Sequence, residues 1–226
     1  MIVLQGVTKS YAGFTALSNV SVSIARGEFA FLIGTNGAGK TTLLRVLLRE
    51  EGFDQGVVLV NGVDVSTIRG AALTRFRRKI GMVFQDTRLL PNATVNENVG
   101  LPLKVRGRSN RDVSMAVAEV LKRVELSDKA SRFPRQLSGG EQRKVALARA
   151  VISKPEILLC DEPTDSINPL HAREIIELLL DINAEGVTTL VATHDSEIVN
   201  NLRRRVIRMD AGSVLEDMDP GVFNTT

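Results

Sequence analysis

Short apolar runs rich in Val, Ile and Phe alternate with segments of helical periodicity, and that alternation predicts an α/β domain built on a largely parallel central sheet. Four runs are expected to form the core strands: 29–33, 80–84, 157–161 and 188–193. Hydrophobic residues make up 43% of the 226-residue chain, enough to fill a sizeable core.

The elements follow in order. Residues 17–24 and 57–60 read as strands of an antiparallel layer, the second followed by the turn signal Asn61-Gly62. The run "FAFLI" at 29–33 leads into "GTNGAGKTT" at 34–42, and "TTLLRVLLRE" then has helical character. Between Gln85 and Pro155 the strand signals vanish, while Val113, Ala116, Val117, Val120, Leu121 and Val124 recur at helical spacing. This stretch is expected to be a helical insertion. With no repeat, low-complexity tract or linker, the expected organisation is a single domain over 1–226. Residues 1–84 and 156–226 form its core and β layer, and about 86–155 its helical part.

Composition narrows the function. No apolar run reaches the roughly 18 residues of a spanning helix, and the N-terminus "MIVLQGVTKSY" lacks the pattern of a signal peptide, so a cytosolic chain is expected. The single cysteine, Cys160, lies within an apolar run and reads as a core residue. A net charge of +3 and 4% aromatic residues argue against a nucleic-acid platform. The arginine-dense runs "RFRRK" at 75–79 and "RRRVIR" at 203–208 read as solvated faces or as basic patches toward an anionic membrane surface.

The segment from Gly34 to Thr41 fits the Gly-x4-Gly-Lys-Ser/Thr pattern, placed after a buried strand and before a helix. Gly34, Gly37 and Gly39 let successive backbone N–H groups turn toward an anion, and the helix adds the positive end of its dipole. Nucleotide phosphates are therefore expected against Gly34, Thr35, Asn36, Gly37, Ala38, Gly39, Lys40, Thr41 and Thr42, with Lys40 on the terminal phosphates and the Thr41 hydroxyl on Mg²⁺. In "DEPTDSINP", Asp161 closes an apolar strand expected to lie beside the cradle strand, where it would hold the magnesium shell. Glu162, one residue on, is placed to take a proton from an attacking water. "LSGGEQRKVALARAV" at 137–151 opens a helix with Ser138, Gly139 and Gly140, whose free N–H groups form a second anion site.

Together these motifs resemble the ABC ATPases, over nearly the whole chain. The resemblance implies a P-loop NTPase of ABC type, with a mixed core sheet, an antiparallel β layer and an inserted helical subdomain. It also implies ATP hydrolysis with Mg²⁺, and a head-to-tail homodimer in which one subunit's signature closes over the ATP on the other's cradle. Within the family pattern Tyr11 resembles the aromatic that stacks on adenine, Gln85 the glutamine that contacts Mg²⁺ or water, and His194 the histidine that contacts the γ-phosphate. Taken singly, Tyr11 also reads as a surface residue, Gln85 as a loop amide and His194 as a neighbour of a helix cap. Asn168 departs from the pattern, which has an acid there; weaker or slower hydrolysis is expected, with Asp165 as a partial substitute.

The segments "IGMVFQDTRLLPNATVNENVGLPL" and "RFPRQLSGGEQRKVALARAVISKPEILLCDEPT" look most like the cell-division branch of the family, which pairs with a membrane protein of FtsX type. That implies a peripheral subunit on the cytoplasmic face of the bacterial cell membrane, regulating cell-wall hydrolysis through its partner. The partner groove is expected between the Gln85 loop and the helical region to about Leu126, with Leu89, Leu90 and Pro91 as contacts. Lipoprotein-release or macrolide-efflux transport, and a nucleotide-switched scaffold with little turnover, are the alternatives.

Overall fold

A computed structural model describes residues 2–221. In chain order these form β1 (Ile2–Tyr11), β2 (Phe14–Ile24), β3 (Phe29–Ile33), α1 (Lys40–Leu47), β4 (Gln55–Val60), β5 (Val63–Asp64), α2 (Gly70–Arg77) and β6 (Ile80–Val83). There follow α3 (Val95–Val105), α4 (Asn110–Arg123), α5 (Gly139–Val151), β7 (Ile157–Asp161), α6 (Pro169–Ala184), β8 (Thr188–Thr193), α7 (Ser196–Leu202), β9 (Arg205–Asp210) and β10 (Ser213–Met218).

Two sheets result. One is antiparallel, in the order β2-β1-β4-β5; the other runs β10-β9-β3-β8-β7-β6 and is parallel except for β10. Strands β3, β7 and β8 are buried at every residue because apolar layers cover both faces, which is why they show no polar alternation, although β8 carries the buried threonines Thr188, Thr189 and Thr193. One core, including Leu4, Leu17, Leu43, Leu44 and Leu159, lies between the two sheets around α1. A second, with Phe31, Leu158, Cys160 and Leu179, packs α6 on the opposite face of the parallel sheet. The helices α3, α4 and α5 enclose a third core of Val95, Val99, Val117, Leu121 and Val145. Burial raises the Cys160 thiol well above its ordinary range, in keeping with a core role.

The structure revises several expectations. The strand expected at 17–24 starts at Phe14, that at 57–60 starts at Gln55, and that at 80–84 stops at Val83. Strand β8 lies between β3 and β7, so the strand ending in Asp161 is one place removed from the cradle strand. Four strands, β1, β5, β9 and β10, escape the apolar-run signal because polar residues interrupt them. In β9 the arginine run is paired: Arg205 donates to Asp217 at 2.7 Å and to Glu28 at 2.8 Å, and those carboxylates hold its guanidinium more firmly charged. Its neighbours Val206 and Ile207 are buried in the sheet.

The helical region approaches the parallel sheet closely at Gly81 in β6. A Cβ there would lie 2.7 Å from the Ala150 carbonyl and 3.1 Å from Leu158 Cδ1. Substituting Gly81→Val should therefore cost about 1–3 kcal/mol despite valine's preference for strands, read as a lower urea midpoint. An unchanged midpoint would contradict the close packing.

Candidate active site

The phosphate cradle is built where β3 ends and α1 begins. Gly34 and Gly39 have φ of 153° and 101°, and a Cβ on either would meet a backbone carbonyl, Met209 O at 2.2 Å or Ala16 O at 2.5 Å. Gly39 is the N-cap of α1 and supplies no side chain to its first N–H groups, the arrangement an anion can satisfy. Lys40 is buried, with Nζ donating to the carbonyls of Gly34 at 2.8 Å and Thr35 at 3.2 Å.

Although β8 intervenes, α1 still reaches the end of β7: Thr41 Oγ1 donates to Asp161 Oδ1 at 3.1 Å. Burial pushes the Asp161 carboxyl upward, opposed by the Thr41 hydrogen bond. A hydroxyl and a carboxylate so placed are hard oxygen donors that suit Mg²⁺ shared with phosphate oxygens.

Glu162 has φ of 48°, a left-handed conformation uncommon for such a residue, and its N–H donates to Ala192 O at 2.9 Å. That turn carries a buried carboxylate between two basic groups. Oε1 lies 3.6 Å from Lys40 Nζ, and Oε2 lies 2.9 Å from His194 Nδ1 and accepts from the His194 N–H at 3.3 Å. His194 is half exposed, beside Asp195, which caps α7 through the Ile198 N–H.

A cavity of about 490 Å³ joins these groups, lined by Phe14, Ala16, cradle residues 36–42, Gln85, Glu162, Asp165 and His194. Gln85 Nε2 donates to Asp165 Oδ2 at 3.4 Å. Tyr11 does not line the cavity: it pairs with Phe14 at the β1-β2 turn, with Lys9 Nζ 4.9 Å from its ring centroid. Phe14 presents the aromatic surface there instead. The signature turn is likewise elsewhere in the protomer, opening α5 with a capping box in which Ser138 Oγ accepts from the Glu141 N–H at 3.2 Å. A cleft of about 900 Å³ between α4 and α6 is larger but holds none of these groups.

Arg143 escaped the sequence reading. It is buried on α5 and donates to Phe84 O at 3.3 Å and Asp165 O at 3.2 Å, tying the signature helix to the loops on both sides of the cavity. Burial weakens the charged form of its guanidinium, while Asp165, Asp86, Glu162 and Asp161 support it. The signal was present as a cation on the inward stripe Arg143, Leu147, Ala150. Asn168 is the N-cap of α6, its Oδ1 accepting from the His171 N–H at 2.9 Å, a task asparagine performs as well as aspartate.

A groove of about 590 Å³ lies between β6 and α3, in the region where a partner is expected, lined in part by Leu90, Leu101, Pro102, Val105, Arg77, Arg78 and Arg106. Two of the expected contacts fall outside it. Leu89 is drawn into the second and third cores, and Pro91 does not line the groove. Leu126, the expected far boundary, is buried in the third core.

Comparison with known proteins agrees with this architecture. The family model for ABC transporters matches residues 17–165. The chain is 44% identical over 224 residues to the cell division ATP-binding protein FtsE of Streptococcus pneumoniae serotype 2, covering 99% of this chain and 97% of that protein. It is 43% identical to the methionine import ATP-binding protein MetN of Caulobacter vibrioides over 96% of this chain and 66% of that protein. Among solved structures, the dimeric post-hydrolysis state of the ATP-binding cassette MJ0796 bound to ADP and Pi superposes with a TM-score of 0.91 at 35% identity, covering 99% of this chain and 100% of that one.

The cap assignment is directly testable. Asn168→Ala should lower thermal stability by about 1 kcal/mol, whereas Asn168→Asp should leave it within about 0.5 kcal/mol of wild type. Equal losses in both variants would contradict it.

Proposed function

The chain belongs to the ABC transporter family, and from that premise we propose that it is an ATPase subunit that hydrolyses ATP in a homodimer and drives a membrane partner. The observation that carries this reading is the convergence of Lys40, Thr41, Glu162 and His194 on one cavity, with Asp161 bonded to Thr41 from behind it. In this reading the cradle N–H groups and Lys40 bind the triphosphate. Phosphate oxygens replace Glu162 as the counter-charge of Lys40, which frees Glu162 Oε1 to accept a proton from water. The water oxygen bonds to the γ-phosphorus as the bond to the bridging oxygen breaks, and ADP leaves with that electron pair. His194 holds Glu162 in place and faces the γ-phosphate.

Thr41, Asp161 and Gln85 are the residues proposed to hold Mg²⁺, which supplies charge neutralisation to the phosphates when bound. Ser138, Gly139 and Gly140 lie outside the cavity of their own protomer, which supports a site completed by a second copy. Phe14 and Tyr11, at one turn, are the aromatic surface nearest the cradle for adenine.

The partner is proposed to be a membrane protein of FtsX type, the output being control of cell division and cell-wall hydrolysis at the cytoplasmic face of the bacterial membrane. FtsE similarity over nearly the whole of both chains supports this. The groove beside β6 is the proposed docking place, with exposed Leu90 and Val105. No described helix is long and apolar enough to cross a membrane, so the membrane role is assigned to the partner. Import or efflux transport is the second reading, kept in view by the comparable identity to MetN. The nucleotide-switched scaffold with little turnover remains a further alternative, with Asn168, the N-cap of α6, as its motive.

Glu162→Gln should slow hydrolysis by about 10²-fold or more while retaining bound ATP and stabilising the dimer, measured by phosphate release and gel filtration with ATP. Unchanged turnover would overturn the general-base role. Lys40→Ala should abolish nucleotide binding in a filter assay; retained affinity would contradict the cradle assignment.

A further inference from the structure

We infer that His171, in the first turn of α6, is a positioning residue for the signature turn Ser138-Gly139-Gly140. The inference rests on the two-copy site proposed above and adds a residue that no motif singles out. Gly140 carries the first observation: a Cβ there would lie 2.4 Å from His171 Cδ2, 2.6 Å from Cγ and 2.8 Å from Cβ. Gly140 is helical, within α5, so its backbone torsion does not demand glycine. The imidazole does.

The ring is itself held. His171 Nδ1 lies 3.0 Å from Glu174 Oε2, and that same oxygen lies 2.9 Å from Nζ of Lys144, which sits one turn beyond Gly140 on α5. The ring is thus pinned between α6, which supplies Glu174, and α5, which supplies Gly140 beneath it and Lys144 beside it. The backbone N–H of His171 donates to Asn168 Oδ1 at 2.9 Å, which fixes the backbone that carries the ring at the cap of α6. Short contacts therefore run from Asn168, at the cap of α6, through His171 to Gly140 in the turn proposed to face the other subunit's nucleotide. Within one protomer, the start of α6 and the signature turn are packed directly against each other.

Steady-state ATP hydrolysis and melting of the full chain test this. His171→Ala should lower kcat by about tenfold, while ATP affinity stays within about twofold because the cradle is untouched. His171→Asn, whose amide occupies the positions of Nδ1 and Cδ2, should recover most of that loss. If His171→Ala does not fold, His171→Gln is read in its place with the same expectation. The close approach is tested separately: Gly140→Ala should lower the melting temperature, and adding His171→Ala should raise it again. A wild-type kcat in His171→Ala, or a double variant that melts no higher than Gly140→Ala, would overturn the inference. Failure of the two-copy reading itself would show differently, as wild-type turnover strictly proportional to protein concentration.

Discussion

A buried carboxylate held between two basic groups organises the nucleotide side of this molecule. Lys40 and His194 face the two oxygens of the buried Glu162 carboxyl, and the three residues come from α1, the end of β7 and the end of β8. Each partner is placed by its own backbone. Lys40 follows a left-handed glycine cap, Glu162 sits in a strained turn, and His194 precedes a capped helix. The parallel sheet and its loops thus act as a frame for this one cluster.

The signature turn, proposed to complete the site of a second copy, lies on the helical region and outside the cradle's cavity. Arg143 and His171 attach that region to the catalytic strand in different ways. Arg143 binds the carbonyls of the loops beside the cavity, whereas His171 presses on the signature turn through a missing side chain at Gly140. Both attachments bear on how far the signature can move relative to the acids of its own protomer. What distinguishes a division ATPase from an import ATPase is expected in the groove beside β6, since the two kinds of relative share comparable identity with this chain.

Much of this was legible in the amino-acid order. The buried strands β3, β7 and β8 show as short runs rich in apolar residues with matching bounds, and the cradle shows as glycines at fixed spacing between strand and helix. The antiparallel and edge strands were harder to see because their polar residues face solvent or pair across the sheet, as Arg205 does with Asp217. At the site, residues that act through local backbone were readable, and residues that act through distant contacts were not. Nothing near Gly140 in sequence announces an imidazole 31 positions later, nor does Tyr11 reveal that Phe14 lines the cavity. The capping bond from the His171 N–H to Asn168 was not legible either, because it is a property of the folded helix end.

The central claim is that each protomer carries two incomplete halves of a hydrolytic site. The rate of phosphate release at saturating ATP, followed against protein concentration, tests it most directly. A rate that rises faster than in proportion to protein at low concentration is the predicted result, because cradle and signature must come from different copies. Strict proportionality down to concentrations where the protein is monomeric by light scattering would contradict the account.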